Sequence, residues 1–309
     1  MRLNKEMIIN TGKTIKMCTC EFGLAFAFEK LMIQAFGKDN ARLCAHYHSS
    51  VLKRLEVIRD SCVSENSSLD DGLIANDAPI WTFWDKGFDS APELIQACRE
   101  SRQVHRGLHP LVELDMNSIK DLISVPAGIE EAFTSGKMGL ACFSDFIRLS
   151  LLSEYGGVWA DATVFMVNDF PSELYEHSFF SLRHQVNSPF YVSEGKWTAW
   201  FLGCGESNSY LKACRDLFVH YWDQYNVLID YFLIDFVLSS IRSSSQRYMD
   251  QIDSIPDCLA SPMFLQRELS KSNQELSIGE KTALCPVQKL NFRAPVTQPV
   301  LDSLRCLIY

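Results

Sequence analysis

From residue 79 to residue 165, short apolar runs alternate with amphipathic stretches, and this alternation constrains the fold more than any other feature of the chain. "PIWTFWDKG" (79–87) reads as an aromatic strand closed by a glycine turn. "SAPELIQACRESR" reads as a helix with Ser90 or Ala91 near its cap and Pro92 in its first turn. "HPLVELDM" gives a second strand, "NSIKDLI" a second helix behind the cap Asn117, "SDFIRLSLLSEY" a third helix and "GVWADATVF" the next strand. Such alternation implies an open, largely parallel sheet with helices on both faces.

Composition sets outer bounds. A chain of 309 residues, 47% hydrophobic and 22% charged, has globular usage and enough length to bury a substantial core. Its formal charge of −9 argues against broad nucleic-acid binding, which needs clustered cations to displace counterions from phosphates. Most of the 11 cysteines lie in apolar segments and the first 20 residues carry no signal-peptide pattern, so free thiols in a reducing cytosol are expected. Cys18 with Cys20, and Cys44 with His46 and His48, lack the paired CxxC spacing of structural zinc. The longest apolar run, "NVLIDYFLIDFVL", is interrupted by Asp230 and Asp235 and is too short to span a bilayer. Resting on a membrane surface stays open.

Residues 21 to 62 carry apolar side chains at helical spacing, broken by Gly37-Lys38-Asp39-Asn40, which predicts a helical hairpin. "SENSSLDDG" (64–72) reads as a linker, dividing an N-terminal helical extension (1–70) from a main domain (71–309). Beyond residue 190, "SYLKACRDLFVHYWDQY" and "LIDYFLIDFVLSSI" read as helices, and 267–280 is a polar segment.

Within "GVWADATVF", Asp161 raises a question, because burying an ionised carboxylate without a partner is costly. On a continuous strand Asp161 and Thr163, two apart, point to one face. A carboxylate and a hydroxyl at the carboxyl end of such a strand make an oxygen-rich site for Mg²⁺ or Mn²⁺. Upstream, Ser144 reads as an N-cap, with Asp145 favoured by the helix dipole and paired i,i+3 with Arg148. Asp230 and Asp235, five apart, would not share a face of one helix; of the two, Asp230 is the stronger candidate for the site. His105 and His109 read as solvated or capping histidines.

The string "SDFIRLSLLSEYGGVWADATVF" resembles the SD-x-x-R…YGG-x-x-x-D-x-[DT] signature of glycosyltransferases of family 32 and the capsular polysaccharide synthesis type. "PIWTFWDKGFDSAPELIQAC" is similar to that group's first strand and helix, "DYFLIDF" to its downstream block, and "VQKLNF" is a fainter echo. The resemblance covers roughly residues 78 to 240.

The resemblance implies a GT-A type, Rossmann-like nucleotide-binding sheet and transfer of a hexose from a nucleotide sugar, with retention of configuration and a divalent metal. It places Ile80, Trp81 and Thr82 at the nucleoside, Asp145 and Arg148 on the donor sugar, and Asp161 on metal and ribose. Lys289 itself reads either as a compact point charge for the departing diphosphate or as an ordinary surface lysine, and the group's distant resemblance to glucosylating toxins tilts the donor base toward uridine. Thr163 replaces the second aspartate of the motif, which leaves its metal coordination open. The implied acceptor is a glycan or lipid-linked saccharide of bacterial capsule or surface polysaccharide, reached from the cytoplasm or the inner face of the membrane. The competing reading is a degenerate, non-catalytic transferase-like binding subunit.

Overall fold

The structure is a computed structural model that describes residues 15–66, 71–186, 188–271, 285–294 and 296–309. Five strands form the main sheet: β1 (Ile80–Phe83), β2 (Leu111–Leu114), β3 (Gly157–Ala160), β5 (Phe179–Ser181) and β6 (Phe201–Cys204), in the order β2-β1-β3-β6-β5. A separate two-stranded ladder joins β4 (Val164–Met166) to β7 (Val287–Lys289). The helices are one over 15–22 (α1), α2 (Leu24–Phe36), α3 (Ala41–Asn66), α4 (Glu93–His105), α5 (Ala127–Thr134), α6 (Leu140–Tyr155), α7 (Ser209–Gln224), α8 (Leu233–Arg242), α9 (Gln246–Asp253), α10 (Phe264–Lys271) and α11 (Gln298–Ile308).

β1 lies parallel to both β2 and β3, with Ile80 opposite Leu111 on one side and Val158 on the other. From β1 the chain moves to β2, then back across to β3. Right-handed crossovers therefore place α4 and α6 on opposite faces, and the direction reverses between β1 and β3. The crevice outside the carboxyl ends of these two strands is where open α/β sheets bind ligands. The other half of the sheet departs from the parallel expectation. β6 runs antiparallel to β3 and to β5, and the segment joining β5 to β6 contains no helical crossover among its described residues. The fold is thus mixed α/β with a mixed sheet and flanking helices, an arrangement compatible with a Rossmann-like fold.

The expected hairpin appears as α2 and α3, separated by a 3₁₀ turn at Gly37–Asp39. Asn40 caps α3 by accepting from the Leu43 N–H at 3.1 Å, and the Cys44 thiol donates to the Gly37 carbonyl. α3 packs against α7 and α8, and α7 against α6. Phe26, Tyr47, Val51 and Leu55 consequently share one core with Phe146, Trp159 and Phe218. A second cluster on α4, β4 and α11 holds Leu94, Phe165, Leu290 and Leu304. The expected linker and the polar segment 267–280 fall in large part outside the described residues.

Four local expectations are corrected. "GVWADATVF" is not one strand: β3 stops at Ala160, the Val164 N–H closes a turn onto the Asp161 carbonyl at 2.8 Å, and β4 leaves to pair with β7. α6 begins at Leu140 behind Gly139, because "LACF" already has helical spacing; Ser144 is inside the helix and Asp145 is beyond its first turn. "NSIKDLI" forms only a 3₁₀ turn, Ser118–Asp121, and the Asp115 carboxylate, rather than Asn117, accepts its leading N–H groups. α8 starts at Leu233, so Asp230 precedes it and never shares a helix with Asp235.

Candidate functional site

The site is built around Asp161, the residue that follows β3. The two glycines that launch β3 are required by space and by backbone: Gly156 and Gly157 have φ of +64° and +97°. A Cβ on Gly157 would sit 2.5 Å from the Pro79 carbonyl. Beyond the strand, the fully buried Arg102 of α4 donates to the carbonyls of Ala162 at 3.1 Å and Val164 at 2.7 Å. Strand and clamp together fix the turn that carries Asp161.

Asp161 is neutralised by side chains from two distant elements. Its Oδ1 accepts from the Arg148 guanidinium on α6 and from the Trp159 indole, both at 2.8 Å. Its Oδ2 accepts from the Lys289 ammonium on β7 at 2.5 Å. Lys289 arrives there because β7 pairs antiparallel with β4 and sets Lys289 opposite Val164, beside the turn. Arg148 also meets Asp145 at 3.3 Å and lies 5.1 Å over the Trp159 ring, while Lys289 lies 5.5 Å over Trp200. The result is a chain of alternating charge, Asp145–Arg148–Asp161–Lys289.

Burial and charge split the carboxylates. Burial raises Asp145 to about 7; Arg148 opposes this, and the Asp161 and Asp235 charges add to it. Asp235 is raised to about 6, again by burial, against the Trp197 indole that donates to it at 2.8 Å. Burial also pushes Asp161 upward, but Lys289 and Arg148 outweigh it and hold that carboxyl below its ordinary value. Burial lowers Lys289, with Asp161 working against it.

A family model described as capsular polysaccharide synthesis protein matches residues 34–304. The chain belongs to that family. No curated protein matches it. Membership points to a role in capsule synthesis and to a glycosyltransferase-like enzyme.

In this family member the fold brings Asp145, Arg148, Asp161 and Lys289 into one cluster. Asp230 lies apart from the ion chain: its carboxylate accepts from the Tyr47 hydroxyl and the Phe232 N–H, both at 2.8 Å. It lines a narrow cleft with Tyr47, His48, Tyr191, Phe232 and Asp235. Asp235, the weaker candidate on sequence, is the one electrostatically coupled to Asp145 and Arg148. Ile80 and Trp81 are buried in the main core, and the Trp81 indole donates to the Gly156 carbonyl at 2.8 Å. Thr82 is fully buried, and its hydroxyl has no hydrogen-bond partner. His109 is a core residue bonded to the Ala78 carbonyl and the Tyr175 hydroxyl, and His105 pairs with Asp169.

Two contributors escape the sequence reading. Arg102 looks like an ordinary helix cation, and Trp197 lies in a stretch without periodicity. Trp84 packs edge-to-face on Phe292, 208 positions away.

The expected cation site can be tested on its donors. A divalent cation of the Mg²⁺ type needs several oxygens converging in near-octahedral geometry. Both Asp161 oxygens already face cations of the chain. With β3 ended at Ala160, Thr163 no longer shares a strand face with Asp161. Among the described residues no group of three or more His, Cys, Asp or Glu could hold a metal. This donor set does not fit a divalent cation.

Proposed function

We propose that this chain is a GT-A type glycosyltransferase that moves a hexose from a nucleotide sugar, with uridine the favoured base, to a glycan or lipid-linked acceptor of a capsular or surface polysaccharide. The observation that carries the reading is the Asp145–Arg148–Asp161–Lys289 chain at the crevice where the strand order reverses. Its cations suit a diphosphate, and its carboxylates suit sugar hydroxyls.

In this reading Asp145 accepts from hydroxyls of the donor sugar while Arg148 fixes the geometry of both carboxylates. Asp161 faces the ribose, and the Trp84–Phe292 pair lies beside the base. Asp230 and Asp235 take hydroxyls of the acceptor from the rim of the cleft they line, which at about 10 Å³ is too small to enclose a sugar. The acceptor oxygen attacks the anomeric carbon as the carbon–oxygen bond to the diphosphate breaks. The electron pair leaves with the diphosphate, which takes the acceptor's proton on the same face. Configuration is retained and no covalent enzyme intermediate is needed.

Among the described residues no helix is long and apolar enough to cross a membrane. We assign peripheral docking at the inner membrane face to α2, where Leu24, Phe28 and Phe36 are 73%, 60% and 62% exposed.

The test is nucleoside diphosphate release from a panel of UDP- and GDP-sugars, with wild type beside Asp161→Asn. Release of one nucleoside diphosphate by wild type and its loss in a folded variant support transfer. Nucleotide binding without turnover on supplied acceptors would favour the non-catalytic subunit, monophosphate release would indicate phosphosugar transfer, and no binding would sink the assignment.

A further inference from the structure

We propose that the Lys289 ammonium takes the place of a divalent cation at this site, so that sugar transfer here is independent of metal; the inference rests on the transferase reading above. A nucleotide sugar brings two negative charges on its diphosphate and develops more on the β-phosphate oxygen as the bond to the anomeric carbon breaks. A site must therefore supply positive charge next to Asp161, the motif carboxylate. Lys289 already occupies that position, 2.5 Å from Oδ2.

The geometry separates Lys289 from the other cations nearby. Arg148 is 5% exposed, is divided between Asp145 and Asp161, and so serves as a positioning residue. Arg102 is fully buried and directed at backbone carbonyls. Lys289 is 18% exposed and bonded to one carboxylate, and an ammonium carries three donors, which leaves two for phosphate oxygens. The ammonium itself lies 5.5 Å over the Trp200 ring, a second contact that holds the charge at the site. A divalent ion inserted at Asp161 would have to displace this ammonium and stand beside the Arg148 guanidinium, with Thr163 where a second carboxylate would be needed.

In the step, the anomeric carbon–oxygen bond breaks and its electron pair passes to the β-phosphate oxygen. The Lys289 ammonium donates a hydrogen bond to that oxygen while keeping its proton. The bond from the acceptor oxygen to the anomeric carbon forms, and the acceptor proton ends on the leaving nucleoside diphosphate.

The experiment compares wild type, Lys289→Met and Lys289→Arg in excess EDTA and in millimolar Mn²⁺ or Mg²⁺. It reads diphosphate release from the UDP- and GDP-sugar panel and calorimetric binding of UDP and GDP, with circular dichroism as the check on folding. Wild type should turn over and bind within about twofold of the same rate and affinity in EDTA and in metal. Lys289→Met should bind the diphosphate at least tenfold more weakly in EDTA, and Lys289→Arg should recover part of that affinity. Wild-type activity or binding that appears only with metal overturns metal independence and leaves the transferase reading standing. Undiminished binding by a folded Lys289→Met overturns the role of Lys289. Failure of wild type to bind any nucleotide overturns both.

Discussion

Asp145 offers the sharpest energetic test of the site, because its carboxyl is raised to about 7 from an ordinary value near 3.8 while its side chain is only 13% exposed. Between those two pH values the folded chain holds a proton that the unfolded chain has lost. A raised acid therefore makes stability fall as pH rises through that window. Linkage sets this cost at about 1.5 kcal/mol at pH 5 and about 4 kcal/mol at pH 8, relative to a neutral side chain. Asp145→Asn removes the ionisation but keeps the shape. Relative to wild type, the variant should gain about 2.5 kcal/mol between pH 5 and pH 8, whatever its absolute stability. In a chain of this size that is a rise in relative Tm of roughly 4 °C, read by calorimetric or fluorescence melts at both pH values. Asp235 titrates in both proteins and cancels to first order, and Asp161 lies below the window. A Tm difference that is flat with pH, or that falls, would refute the burial argument for Asp145. Donor turnover should drop in the same variant, because an amide accepts sugar hydroxyls less strongly than a carboxylate.

Three further perturbations reach the supports of the site. Gly157→Ala should cost about 2–4 kcal/mol in denaturant unfolding, since the position combines positive φ with a Cβ too close to the Pro79 carbonyl; an unchanged midpoint would contradict the strain. Arg102→Met should destabilise by about 2 kcal/mol, because carbonyls at the Asp161 turn lose a charged donor and only part of that loss is offset by no longer burying a cation; a variant as stable as wild type would show that the clamp contributes nothing. Leu24→Glu with Phe28→Glu should abolish flotation with anionic liposomes while leaving Tm within about 2 °C, as expected for exposed positions; undiminished flotation would remove α2 from the docking face. Deleting residues 1–70 is no substitute, because Tyr47, Val51 and Leu55 belong to the main core.

The alternation of strands and helices from residue 79 was legible because each element is local: its periodicity, caps and turn residues lie within a dozen positions of one another. The break at Gly37–Asp39 was legible for the same reason. The end of β3 was not. Val164 and Phe165 are as apolar as Val158 and Trp159, so period-two alternation runs through the turn. After the turn, β4 pairs instead with β7, more than 120 residues downstream, a partner that no local pattern announces. Asp230 was preferred over Asp235 on the premise of a shared helix, and that premise failed when α8 began at Leu233, five residues later than the apolar pattern suggests.

The same division between local and distant explains how Asp161 is neutralised. Arg148 is 13 residues upstream, one motif block away, and sequence could associate it with Asp161 because helix and strand are consecutive. Lys289 is 128 residues downstream and reaches Oδ2 only if β4 leaves the main sheet and pairs with β7. If β3 had continued through Thr163, as its composition permits, Val164 would have stayed in the main sheet and the ladder that delivers Lys289 would not exist. Asp161 would then have retained one cation, with an oxygen open toward the crevice, and a divalent ion would be the economical way to neutralise it. The turn after Ala160 and the lysine on β7 are therefore one structural decision, and the proposed independence from metal stands or falls with the ladder that joins them.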